Sequence, residues 1–381
     1  MFTGQHHHHL DKLFHLKHKI GYIYEHLVVQ AFAISLVSIF VPIYLLTINF
    51  SLTEVMLYLL FQWGVFGLFT PLYAIILHKL GLKEVIFIRT PVLAVGLFML
   101  SLLKTNAFLQ KYYLIISLII GFSDSLYCLS ISSLFASLIG EKKQSEKTGE
   151  FLAFPKISSI LGPVCGGFIA SYFGFPILFL IVVILLFTSI VPLLFIKENV
   201  DHPKFDLEAF KHVKIKDFLI LTAYGLKGFL FFIFVPLALY FHSQNQVTLG
   251  LIVSFLSLTA ALFTIYTGYL SEKFGLKKII RVGAVFHSIL FFVFAFLTGK
   301  PLFLYISFLS GFVSVLIDVP YETYLFETAK KYRSPLKFLV FKEVSLFVGR
   351  AFLFGALILL GTSISLGFNI GGFSSLVFAF F

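Results

Sequence analysis

Residues 176–196 read PILFLIVVILLFTSIVPLLFI, twenty-one positions without one charged side chain. A hydrocarbon core of about 30 Å is crossed by roughly 20 apolar residues in a helix, so this stretch is one full crossing. A barrel strand is half as long and alternates polar with apolar side chains; this stretch does neither. Working outward, segments of the same kind recur between short polar breaks at 21–47, 52–77, 84–104, 111–139, 149–172, 217–241, 247–270, 279–298, 302–327, 337–360 and 363–381. With 176–196 they predict twelve transmembrane helices, an all-α membrane protein.

Composition agrees. Of 381 residues, 59% are hydrophobic and only 12% are Asp, Glu, Lys or Arg, half the charged share that covers a soluble domain. A net charge of +11 could suggest nucleic acid, but the charges sort by loop. Twenty-two Lys and Arg fall in the N-terminal tail and around residues 79–89, 142–147, 197–216, 273–281 and 330–337, against Lys104, Lys111 and Lys300 on the other side. Arg89 and Arg281, at the starts of the third and ninth segments, are counted with the loops. The basic side faces the cytoplasm, so both termini are expected there, in the plasma (inner) membrane, and no nucleic-acid partner is expected. Cys128 and Cys165 sit in apolar segments without disulfide or metal spacing. The polar N-terminus shows no cleavable signal peptide, and the tag-like run His6 to His9 is set aside.

An internal repeat is readable. Phe40-Val41-Pro42 recurs as Phe234-Val235-Pro236, and Gly81-Leu82-Lys83 as Gly275-Leu276-Lys277, both 194 residues on. Phe154 and Gly162 align with Phe341 and Gly349 at 187. Parallel repeats of this kind build transporters. The expected division is a tail at 1–20, a six-helix bundle at 21–196, a cytoplasmic linker at 197–216 and a second six-helix bundle at 217–381.

Residues 268–278, GYLSEKFGLKK, resemble the loop signature of the major facilitator superfamily: a glycine, an acid four residues on, a base, a glycine, then bases. The usual Asp is Glu272 here, followed by Lys273. The first-half copy around His78, Lys79, Gly81 and Lys83 is degraded, with Ala74 for the glycine and His78 for the acid. In the fifth span Gly149, Gly162, Pro163, Gly166 and Gly167 are similar to the glycine–proline pattern of the family's exporters, with Ser158 replacing one glycine. Small residues and Pro also serve helix packing alone, and that alternative stays open. The Arg that proton exchangers of the family carry four residues before a fourth-span glycine is Ser117 here, counted from Gly121. The resemblance implies two pseudo-symmetric bundles rocking about a central site.

Ionisable groups inside spans are costly and face a partner or a water-filled cavity. Asp124, Lys156, Lys227, Asp318, Glu322, Lys342, Glu343 and Arg350 fall on spans four, five, seven, ten and eleven; spans three, six and twelve show none, and nine has only His287. In the resembled fold those four are outer helices. Two cytoplasmic gate latches are expected, Lys156 with Glu272 and Glu343 with Lys79 or His78. Nearer mid-membrane, Asp318 or Asp124 is the candidate protonation site, tuned by Lys227 or Arg350, with Glu322 one turn beyond Asp318; a static ion-pair set is the alternative. Gln30, Gln62, Tyr321 and Tyr324 could contact substrate or only neighbouring helices. Glu25 and His26 lie near the cytoplasmic interface, where charge is cheap.

No GxxxxGK[ST] loop, metal-ligand cluster or nucleophile–base arrangement is present. The expectation is therefore not an enzyme, with no cofactor and no metal. A monomeric secondary transporter follows, working by alternating access on a small-molecule substrate, with protons as coupling ion and the lipid bilayer as surroundings. Export of small amphipathic molecules is expected ahead of proton-coupled uptake of a polar solute such as a sugar. A scaffold or receptor that does not transport is the reading from another class.

Overall fold

The computed structural model describes residues 3–138, 151, 153–196, 215–243, 245–297, 300–329 and 335–381, and every regular element among them is helical. Gly149 and residues 197–214 of the expected linker lie outside the described residues. The helices are α1 (Thr3–Val37), α2 (Phe40–Thr47), α3 (Leu52–Leu68), α4 (Thr70–Leu80), α5 (Leu82–Leu102), α6 (Ala107–Lys111), α7 (Tyr113–Leu138), α8 (Gly162–Tyr172), α9 (Phe175–Leu194), α10 (Ile215–Phe229), α11 (Val235–Ser243), α12 (Gln246–Phe274), α13 (Leu276–Phe296), α14 (Lys300–Ala329), α15 (Pro335–Leu360) and α16 (Ile364–Leu376).

Among the described residues nine spans are long and apolar enough to cross a bilayer, and ten if the bent pair α3–α4 is one. That test does not reach the expected twelve. The segments expected at 302–327 and 363–381 are helical, as α14 and as α16 with a closing 3-10 turn at Val377–Phe380. Large apolar side chains cover the outside; Leu359, Ile265 and Phe296 are 85%, 80% and 78% exposed. Only lipid makes such a surface stable.

The sequence repeat marks matching irregularities. Gly81 and Gly275 each join two helices in a near-identical positive-φ conformation, φ 99° and 87°, which a side chain disfavours. Pro42 and Pro236 lack the N–H that would bond the carbonyls of Ser38 and Phe232. The helix accordingly breaks between α1 and α2, and widens into a π-helical turn at Leu230–Phe234 between α10 and α11. At the 187 offset, a Cβ on Gly162 would sit 1.8 Å from Ser35 Oγ, and one on Gly349 1.9 Å from the Thr222 carbonyl oxygen. Both glycines let one helix lie directly on another.

Contacts are dense between α1 and α9, α5 and α7, and α3 and α7, and again between α10 and α15, α13 and α16, and α12 and α14. Two seams connect the residues before 197 with those after 214: α8 against α12, and α3 against α15.

A candidate transport cavity and its buried charges

Seam α8/α12 is zipped at one end by backbone contact. A Cβ on Gly167 would meet the Gln246 carbonyl oxygen at 2.3 Å, and one on Gly250 the Pro163 carbonyl oxygen at 2.2 Å. Val164 N, in the unsatisfied first turn of α8, donates to Ser254 Oγ across the seam at 3.0 Å. Past Ser254, α12 parts from the residues that precede α8, Lys156 and Ser159, around a cavity of about 170 Å³. Phe231, Phe232, Val235 and Pro236, from the π turn and the turn after it, form one wall; Val253 and Leu256 of α12 form another. Two charged residues line it, Lys156 and Asp318. Lys227 Nζ meets Asp318 Oδ1 at 2.5 Å, with Lys227 1% exposed and Asp318 29%. The same ammonium reaches the Ser314 carbonyl oxygen at 3.4 Å.

Seam α3/α15 is closed by side chains. Phe347 fills the space against Gly64 and Gly67, and the hydroxyls of Thr53 and Thr362 meet at 2.7 Å. The Arg350 guanidinium lies 5.0 Å from the Trp63 ring, 5.6 Å from Phe66 and 4.9 Å from Phe229. Its Nη1 is 3.8 Å from Glu343 Oε2.

Two packed seams between sequence-repeated helix sets agree with the comparison to known families: the model of the Major Facilitator Superfamily matches residues 27–352. The chain belongs to the Major Facilitator Superfamily. As a member it is a multi-pass membrane transporter. It is 27% identical over 289 residues to the multi-drug resistance efflux pump PmrA of Streptococcus pneumoniae, 71% of each chain. It is 26% identical over 299 residues to the PmrA homolog of Lactococcus lactis, 73% of this chain and 72% of that one. Among solved structures, nucleoside transporter NupG superposes with a TM-score of 0.71, and a point mutant of NupG with 0.73. Each covers 95% of this chain and 97% or 98% of its own, at 16% identity, a likeness of fold alone.

In this Major Facilitator Superfamily chain, the sequence-predicted residues separate. Asp318 and Lys227 are brought together. Glu322 pairs with Lys342 at 3.6 Å and accepts from Tyr224 Oη at 3.2 Å. Gln62 Nε2 donates to Asp124 Oδ2 at 3.4 Å. Two candidates prove to be helix contacts. Gln30 is buried and accepts from Ser189 Oγ at 3.3 Å, joining α1 to α9. Tyr321 is buried among Tyr224, Phe378 and Phe381, away from the cavity. The latches are not formed here: Lys156 faces the cavity while Glu272 is exposed, and Glu343 is paired with Arg350 two turns along its own helix. Lys79 is exposed, and Lys273 lies along the rings of Tyr269 and Phe274.

Two readings need correction. His26 is fully buried, its Nδ1 2.7 Å from the Ser189 carbonyl oxygen, whereas its neighbour Glu25 is exposed. Arg89, counted with the loops, is fully buried in α5, so the third span does hold an interior charge. Its guanidinium covers the Tyr127 ring at 4.1 Å, within electrostatic reach of Asp124. The signal was present: Arg89 stands seven residues inside a helix whose start is fixed by Gly81. Counting it with the nearest loop hid it. Asp124 and Asp318 are themselves 194 residues apart, the offset of the repeat, yet the nearby base comes from a different helix in each case.

Proposed function

We propose that this transporter exports small amphipathic molecules by alternating access, driven by the proton gradient. The observation that carries the reading is the cavity at seam α8/α12, apolar on most of its wall and bearing one ion pair, Lys227–Asp318. The resemblance to pumps named for multi-drug efflux supports the direction. The working division is two bundles, 21–196 and 217–381, joined by the cytoplasmic linker 197–216, in a single chain with both termini inside. Both seams are closed at the ends next to the lysine-poor loops, and the cavity lies on the basic side of the α8/α12 contact. Protonation of Asp318 dissolves its pair with Lys227 and loosens α10 from α14, which favours the exchange of states. In the outward-facing state Lys156 leaves the cavity for Glu272.

Uptake of a polar solute is disfavoured by the lining. Among the described residues no Asn, Gln, His, Tyr or Trp faces the cavity, and sugars or nucleosides are held by such groups.

The test uses everted vesicles with an imposed pH gradient and fluorescent amphiphiles of cationic, neutral and anionic character. Wild type should accumulate at least one of them, and Asp318→Asn should abolish the dependence on the gradient. No accumulation above empty vesicles would turn the assignment toward uptake or a non-transporting role. Transport that survives Asp318→Asn with its pH dependence intact would remove Asp318 from coupling.

A further inference from the structure

The cavity wall has an unequal supply of donors and acceptors. Each hydroxyl on it spends its proton on a backbone carbonyl three or four residues before it: Ser159 on the Lys156 carbonyl oxygen at 2.9 Å, Ser257 on Val253 at 3.0 Å, Thr264 on Ala260 at 2.8 Å, and Ser314 on Gly311 at 3.1 Å. Lys227 gives its protons to Asp318 and to the Ser314 carbonyl oxygen, which also neutralises the one carboxylate present. Lys156 is left. It is exposed, lines the cavity, and has no ion-pair partner among the described residues. Its three N–H donors and its uncompensated charge are available to a space whose apolar wall is Phe231, Phe232, Val235, Val253 and Leu256.

From this arrangement we infer that the transported class is the amphipathic organic anion, a carboxylate or similar acid on an apolar body, with its head group on Lys156. A cation would find no free acceptor charge, because Asp318 is already held, and would face the Lys156 ammonium directly. A neutral polar molecule would meet acceptors with one donor to match. An anion satisfies Lys156 by a charge-assisted bond while its chain takes the place of water against the phenylalanines. The volume, about 170 Å³, fits a head group and the first part of a chain. This inference rests on the cavity being the transport site, and it is independent of the proton step.

The experiment compares three dansyl-labelled undecyl probes on the purified full chain in proteoliposomes: carboxylate, primary amide and primary amine. Wild type should bind the carboxylate about tenfold more tightly than the amide. Lys156→Gln should erase that preference, and Lys156→Arg should keep it. Equal affinity for carboxylate and amide in wild type, or a preference that survives Lys156→Gln, overturns the inference. Accumulation of the amine but not the carboxylate overturns it while the export reading stands. If none of the three probes binds or moves, both readings fail together.

Discussion

The two seams are made of different material. Where α8 meets α12, glycines lie on backbone carbonyls, Gly167 over Gln246 and Gly250 over Pro163, and the contact ends abruptly at a cavity. Where α3 meets α15, side chains interlock: Phe347 on Gly64 and Gly67, Arg350 among Trp63, Phe66 and Phe229, Thr53 on Thr362. Backbone-on-backbone contact has no side chain to repack, so two helices can part there by rigid motion and return to one register. An interlocked seam needs rotamer changes before it opens. In a transporter that alternates, the glycine seam is suited to the large excursion and the aromatic seam to the pivot.

The largest effect is expected where the glycine seam opens onto charge. Lys227→Ala leaves Asp318 partly buried without its partner, and should lower stability in detergent by about 3 kcal/mol. Adding Asp318→Asn should restore most of it; melting temperatures of the two singles and the double decide. A loss that the double does not recover would mean Lys227 acts through packing. Next comes the zipper. Gly250→Ala forces a Cβ to within 2.2 Å of the Pro163 carbonyl oxygen and should cost about 2 kcal/mol. It should also hold that end apart, so that a cysteine introduced by Val253→Cys, with Cys128 and Cys165 replaced, is labelled faster by a water-soluble maleimide. Unchanged labelling would show that the seam does not close by this contact. The smallest effect belongs to the aromatic seam. Trp63→Leu removes one ring of three around Arg350 and should cost about 1 kcal/mol, with labelling at position 253 unaltered. A labelling change as large as that from Gly250→Ala would mean the two seams move as one, and the contrast between them would collapse.

Much of the fold was legible because its causes are local. Apolar length in 176–196 needs no partner to be read, and the elbows at Gly81 and Gly275 follow from a residue type that tolerates positive φ. The Phe-Val-Pro repeats marked matching positions in the two halves, but not that the helix would break at one and widen into a π turn at the other. That depends on which neighbours satisfy the freed carbonyls. The site was legible as a list of charged residues, and its pairings were not. Asp318 finds Lys227 from 91 positions away. Lys227 or Arg350 was expected to tune Asp318 or Asp124; Lys227 pairs with Asp318, while Arg350 joins Glu343 and three rings. Tyr321 and Gln30 carry groups that could serve a substrate, and burial alone removed them from the cavity.

The sequence by itself determined that this chain lives in a bilayer, that its parts repeat, and which side its basic loops share. Each of these is fixed by solvent preference or backbone geometry over a few dozen residues. Only the tertiary structure decided which charges cancel and which remains free. A buried charge is stabilised by whatever lies within a few ångströms of it, and that proximity is set by helix packing.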